Sequence, residues 1–162
     1  MSYSIRRYRD SDAEALSALS LAAIRVVGSH GYSDIQIAAW AGRHGGPAMY
    51  QERSAQGHMI FLAVDQNDAP VAYSLLEPDG HLDRLYCHPQ HTRKGLAERV
   101  LQAAENEARA LGLTRLYTEA SELARPAFER AGYRVTHRRD FTIEHEDHEV
   151  AIHNYAMEKR LN

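Results

Sequence analysis

Cysteine is almost missing from this sequence: Cys87 is the only one in 162 residues. A lone thiol closes no internal disulfide, so the fold does not depend on an oxidising compartment. No run approaches the roughly 18 apolar residues that a membrane-spanning helix needs. The opening stretch, MSYSIRRYRDSD, lacks the apolar core of a secretory signal. An excess of basic charge is missing too. The formal net charge is -3, which gives no nucleic-acid footprint at the level of the whole chain. There is no G-x-x-x-x-G-K-[ST] loop and no G-x-G-x-x-G fingerprint. No repeat, low-complexity segment or linker divides the chain. These absences leave a cytoplasmic soluble protein, without nucleic-acid or membrane partners, whose residues 1–162 read as one domain.

What is present is ordinary in bulk. The hydrophobic fraction is 44% and the charged fraction 25%, both usual for globular proteins. Ten histidines are many for this length, so net charge rises as pH falls toward about 6.

Periodicity predicts the order β–α–α–β–β–β–α–β–α–β–β. A strand covers YSIRRYR (3–9). A helix follows, with Ser11 or Asp12 as its N-cap and Gly28 as its stop. Ser33 caps a second helix that Gly42 ends, and residues 43–57 read as loop or weak helix. Two apolar runs flank QNDAP as a β-hairpin. GHLDRLYCHP is a strand stopped by Pro89. The clearest helix is GLAERVLQAAENEARALG, with Leu96, Val100, Leu101, Ala104 and Ala108 on one face and Gly112 at its end. LTRLYTEAS is a strand, ELARPAFERAG a short helix, and YRVTHRRDFTI and EVAIHNYAMEKRL are the last strands. EHEDHE between them reads as a solvated turn. A hairpin run followed by a strand–helix–strand unit predicts an α/β (α+β) fold, a mixed sheet with helices on both faces.

The stretch HTRKGLAERVL carries the chemistry. It opens the strongest helix, whose first N–H groups lack internal partners and sit at the positive end of the dipole. Such an end binds phosphate. Gly95 lets the backbone approach an anion, small Ala97 keeps the first turn open, and Arg93 and Lys94 supply countercharge. From the loop alone, a plain connection is an equally good reading.

The segment LDRLYCHPQHTRKGLAERVLQAAENEARALG resembles motif A of the GNAT superfamily of N-acetyltransferases, in which [Gln/Arg]-x-x-Gly-x-[Gly/Ala] cradles the pyrophosphate of acetyl-CoA. Gly95 and Ala97 match the small positions, and Thr92 stands where Gln or Arg is usual. EASELARPAFERAGYRV resembles motif B of the same family: Ala124, Gly132 and Tyr133 match, Ser121 replaces an Asn, and Phe128 replaces the Tyr that often protonates the departing thiolate. The resemblance implies a mostly antiparallel sheet of about six to seven strands. It also implies acetyl-CoA as cosubstrate and direct transfer of acetyl to a primary amine of a small molecule or peptide, by a monomer or homodimer. It implies coenzyme contacts at Leu85, Tyr86, Cys87, Thr92, Arg93, Lys94, Gly95, Leu96, Ala97, Ser121 and Phe128.

A base must take the amine's proton. Strict alternation puts His81, Asp83, Leu85 and Cys87 on one strand face and Leu82, Arg84 and Tyr86 on the other. His81 is a candidate base because an unperturbed imidazole titrates near about 6.5. Asp83 is either the base or the orienter of a histidine, and Glu119 is a third candidate. The competing reading has His81 capping the turn after EPDG and Asp83 pairing with Arg84. With Phe128 unable to give a proton, Tyr133, Tyr117 or Tyr155 could protonate the thiolate, or it leaves unassisted. Cys87 reads as a buried or backbone-supporting thiol. The histidine groups in CHPQH and EHEDHE lack zinc spacing, so no metal is expected. Trp40, Tyr32, Tyr50 and His44 could line the acceptor pocket, although Trp40 also fits a core position. Thr92, Ser121 and Phe128 support a second reading, a non-catalytic acyl-CoA-binding or regulatory module.

Overall fold

The segment MIFLAV shows why the sheet is covered on both sides. All six residues of this strand, Met59–Val64, are buried. Met59 and Phe61 pack with Leu82, Leu101 and Ala104, whereas Ile60, Leu62 and Val64 pack with Leu16, Leu19 and Tyr50. A strand alternates its faces with a period of two, so an unbroken apolar run means two buried faces.

The computed structural model describes residues 2–162. The elements are β1 (Ser4–Arg7), α1 (Ala13–Val26), α2 (Asp34–Gly42), α3 (Gly46–Ala55), β2 (Met59–Val64), β3 (Pro70–Leu76), β4 (His81–Cys87), α4 (Leu96–Ala110), β5 (Arg115–Ala120), α5 (Arg125–Arg130), β6 (Arg134–His145) and β7 (His148–Arg160). The seven strands form one sheet in the order β1-β2-β3-β4-β5-β7-β6. Its pairs are antiparallel except β4–β5, which is parallel and joined by α4.

One sheet face is covered by α4 and α5. The predicted seam of α4 is buried there: Leu96, Val100, Leu101, Ala104 and Ala108 all point inward. The other face is covered by α1, α2 and α3. Beneath α1 and α3 the buried hydroxyls of Ser20, Tyr50 and Tyr73 satisfy one another at 2.6–2.9 Å. Buried polar groups need such partners.

Local chemistry explains most boundaries. Ser33 accepts from the Gln36 N–H while Gln36 accepts from the Ser33 N–H, a capping box at the start of α2. Gly112, at φ +78°, follows the end of α4. Glu146 and Asp147, both at positive φ, make the two-residue turn between β6 and β7. Two expectations change. Asp12 is the N-cap residue of α1, as expected, but its carboxylate accepts from Arg6 and from the Arg9 N–H and not from a first-turn N–H of α1. Residues 46–55 form a full helix, α3, with Pro47 in its first turn and Tyr50 buried beneath it.

Candidate active site

The loop between β4 and α4 is shaped for an anion. Arg93 and Gly95 both adopt left-handed backbone, at φ +63° and +72°. Successive N–H groups in such turns converge into a concave anion cradle. Gly95 is the N-cap of α4 and no side chain caps the helix there, so the free N–H groups of the first turn remain available. Arg93 and Lys94 are exposed, and among the described residues neither has an ion-pair partner. Leu96 is only 2% exposed, packed with Ala63, Val71 and Val100, so it can offer a ligand only its backbone. Ala97 is half-buried, and the Thr92 hydroxyl donates to the Pro89 carbonyl at 3.3 Å.

Upstream of that loop the sheet opens. β4 and β5 pair only at His81–Tyr117 and Leu82–Thr118. Beyond those residues lies a cleft of about 460 Å³, with Asp83 to Tyr86 on one side and Thr118 to Ser121 on the other. A bulge marks the same place: Arg84 faces Leu75 and Leu82 faces Leu76, which leaves Asp83 as the extra residue on β4.

The bulge overturns the strict alternation expected of β4. Asp83 and Arg84 both turn toward the α1–α3 side, Asp83 to Arg53 and Arg84 to His44 and Tyr50. His81, Asp83, Arg84 and Tyr86 therefore share that face, while Leu82, Leu85 and Cys87 face α4. Leu85 and Tyr86 line the cleft; the Cys87 thiol turns away and donates to the His91 carbonyl at 3.4 Å. Burial and then the nearby Glu98 push that thiol up to about 11, so it is neutral.

His81 does not meet the expectation of a free base. Its Nδ1 lies 3.0 Å from Glu77 and its Nε2 2.8 Å from Glu119, and the ring stacks on Tyr117 at 4.8 Å. Burial opposes the charge, but the hydrogen bonds to Glu119 and Glu77 outweigh it and raise the pKa to about 9. At neutral pH the imidazole already holds its proton. Nor does Tyr133 reach the cleft. It is buried against Phe128 at 5.0 Å and borders a separate recess with Glu98, Leu101 and Arg130. Burial, and then Glu105, push its hydroxyl far up. It is therefore no proton donor for a group leaving in the cleft.

The remaining candidates are brought together. Asp83, Glu119, Ser121 and Phe128 all line the cleft. The Asp83 carboxylate accepts from Arg53 at 3.0 Å and lies 3.7 Å from Arg84. Ser121 accepts from the Ala124 N–H at the start of α5, and Phe128 is buried. Donor atoms of Glu77, His81 and Asp83 cluster within 4.8 Å of one another. The Arg53 guanidinium bridges the two carboxylates, at 3.5 and 3.0 Å, where a metal ion would compete with it.

Sequence reasoning missed the polar cleft residues Arg43, Arg84, Arg139 and His153. Strict alternation puts Arg84 on the opposite face from Asp83, and no signal in HLDRLYC marks the bulge that brings both to one face. Arg139 and His153 stand on β6 and β7, far away in sequence, and only the sheet order brings them to the cleft. His153 is held by Glu122 at 2.7 Å, which also accepts from Tyr155 at 2.8 Å.

The model of the acetyltransferase (GNAT) domain matches residues 29–158. The chain belongs to the GNAT acetyltransferase family. A curated relative, the "Uncharacterized N-acetyltransferase YafP" of Escherichia coli (strain K12), is 30% identical over 134 residues, which are 81% of each chain. Among solved structures, a GCN5-related N-acetyltransferase from Rhodopseudomonas palustris aligns over 99% of this chain and 97% of its own, at 29% identity and a TM-score of 0.84. The paiA N-acetyltransferase of Thermoplasma acidophilum, solved with coenzyme A, aligns over 99% and 100% at a TM-score of 0.77. At 19% identity that likeness shows the GNAT fold alone. The matched region of this GNAT protein holds the loop and the whole cleft and leaves out β1 and α1. No helix among its described residues is long and apolar enough to cross a membrane.

Proposed function

We propose that this protein transfers an acetyl group from acetyl-CoA to a primary amine held in the cleft. The parting of β4 and β5 beyond Leu82 and Thr118 carries the reading, because it exposes the edge of β4 directly upstream of the anion-cradling loop. The pyrophosphate sits on the backbone of Arg93 to Ala97 with Arg93 and Lys94 as countercharge. The pantetheine arm runs along Leu85 to Cys87 like an added strand, bordered by Ser121 from the turn after β5 and by Phe128 from α5.

The amine attacks the thioester carbonyl; a C–N bond forms and the C–S bond then breaks. The attacking nitrogen loses a proton, and Glu119 is the group that takes it. Asp83 is committed to Arg53 and Arg84, whereas Glu119 meets a single partner among the described residues, protonated His81. His81 in turn meets Glu77, so Glu119–His81–Glu77 forms a hydrogen-bonded path out of the cleft. The thiolate leaves without a dedicated acid, as a group of its low basicity can.

Calorimetric titration with acetyl-CoA and CoA tests the reading, in wild type and Gly95→Glu. A carboxylate at the pyrophosphate position should abolish micromolar binding. Release of free thiol with a panel of amines then separates catalysis from binding alone. Failure of folded wild type to bind either ligand would refute the proposal.

A further inference from the structure

The charges that line the cleft are unbalanced. Arg43, Arg84 and Arg139 stand among its lining residues against Asp83 and Glu119. Both carboxylates already have cations outside the lining, Arg53 for Asp83 and His81 for Glu119. Among the described residues the arginines have no ion-pair partner outside the lining. Arg84 touches only one carboxylate, at 3.7 Å from its Nε, and donates from Nη1 to His44 Nε2 at 2.7 Å. Arg139 donates to the Asn154 side chain at 3.0 Å and lies over the Phe141 ring. Among the described residues, neither Arg43 nor Arg139 has a carboxylate within ion-pair distance.

His44 sharpens the point. Burial, and then the charge of Arg84, lower its pKa to about 4, so it stays neutral and accepts from Arg84. It orients the guanidinium without cancelling its charge. Its Nδ1 is buried with no partner among the described residues. A mostly buried guanidinium whose Nη1 meets a neutral imidazole, and whose one carboxylate stands off at 3.7 Å and is itself shared with Arg53, is arranged on the wall of an open cleft to receive an anion.

We infer that the acceptor is a small amine that also carries a carboxylate, an amino acid or a close analogue, and that Arg84, helped by Arg43 and Arg139, binds that carboxylate. The inference rests on the acetyl-transfer reading above. The carboxylate fills the forked donors of Arg84, which presents the amine nitrogen to the thioester and to Glu119. The same cations disfavour an ammonium, so the amine arrives more readily in its neutral, nucleophilic form.

The test is a thiol-release assay with acetyl-CoA and a panel of standard α-amino acids, each against its own carboxamide, beside a calorimetric titration of acetyl-CoA. At least one acid should exceed its carboxamide in kcat/KM by about tenfold or more, the scale of a charge-assisted forked contact. Arg84→Gln should bring that ratio close to one, through KM more than kcat, and Arg84→Lys should recover part of it. Should the Arg84 variants fail to fold, Arg139→Gln on β6 carries the same test with a smaller narrowing of the ratio. Wild type that binds acetyl-CoA yet uses carboxamides as well as acids, or uses no carboxylate-bearing amine, overturns the inference. Wild type that does not bind acetyl-CoA overturns the acetyl-transfer reading itself.

Discussion

His81 Nε2 lies 2.8 Å from Glu119 Oε1 while its Nδ1 lies 3.0 Å from Glu77. One imidazole therefore ties the loop after β3 to the end of β5. Its pKa rises from 6.5 to about 9 on folding. A raised folded pKa means the native state holds the proton more tightly than the unfolded chain. The stabilisation is then complete below the unfolded pKa and is lost as pH rises through the folded one. By linkage it amounts to roughly 3 kcal/mol. Thermal unfolding of wild type and His81→Gln between pH 6 and 10 isolates it, because other groups cancel in the difference. That difference should be largest near pH 6 and shrink toward pH 9.5; a gap that stays constant with pH would rule out the protonated pair.

The hydroxyl cluster under α1 and α3 gives a second prediction, on stability alone. Tyr73 is fully buried and its hydroxyl meets Ser20 and Tyr50, both at 2.6 Å. Tyr73→Phe keeps the ring but removes a shared partner from two buried groups. Ser20 retains the Leu16 carbonyl and Tyr50, so the cost falls toward the lower end of the range for an orphaned buried group, about 1 kcal/mol. Tyr73→Ala adds a cavity and should cost about 3–5 kcal/mol. Urea midpoints at unchanged m-value would read both.

The parts of the site written locally were legible in the sequence. The turn before α4 was legible as a turn, because Gly95 tolerates the left-handed backbone that it and Arg93 adopt; that it receives an anion was suggested by the flanking cations and the resemblance, not specified by those few residues. The helix faces were legible because a period near 3.6 is hard to mimic. The faces of β4 were not. One extra residue at Asp83 reverses the direction of every side chain after it, and nothing in HLDRLYC marks where that residue goes. Helix α3 was obscured because RHGGPAMYQERSAQG mixes breakers with few apolar residues, and its one deep anchor is Tyr50. His81 failed as a base for a related reason: Glu77 and Glu119 surround it from two different elements, and only the sheet brings them together.

Gly80 sits at the end where β4 and β5 come together, just ahead of their two paired positions. It stands at φ +104° just before β4, and a Cβ there would come within 2.5 Å of the Arg115 carbonyl oxygen. Its own carbonyl accepts from the Tyr117 N–H at 3.1 Å. Backbone cannot move aside as a flexible side chain can. Gly80→Ala should therefore combine left-handed strain of about 1–2 kcal/mol with a displacement of β5. The expected result is a lower melting temperature together with weakened acetyl-CoA binding, although Gly80 itself is remote from the anion loop. A variant that loses stability but binds acetyl-CoA with wild-type affinity would show that the β4–β5 spacing does not depend on this contact.

Glu119 and Asp83 both line the cleft, and kinetics should distinguish them. If Glu119 takes the amine proton, Glu119→Gln removes the acceptor while keeping the shape, and kcat should fall by about a hundredfold or more, the range of general-base catalysis. Acetyl-CoA affinity should not follow it, since the proposed pyrophosphate site lies on the loop and not on β5. Asp83→Asn should mainly loosen Arg53 and Arg84, raising KM for the amine with a smaller effect on kcat. His81→Gln should lie between the two and change the pH profile, because it interrupts the path to Glu77 without touching the amine. With the best amine from the panel, steady-state kinetics of the three variants across pH 6–9 decide the assignment. A large kcat loss in Asp83→Asn with near-normal Glu119→Gln would move the base from β5 to the bulge of β4.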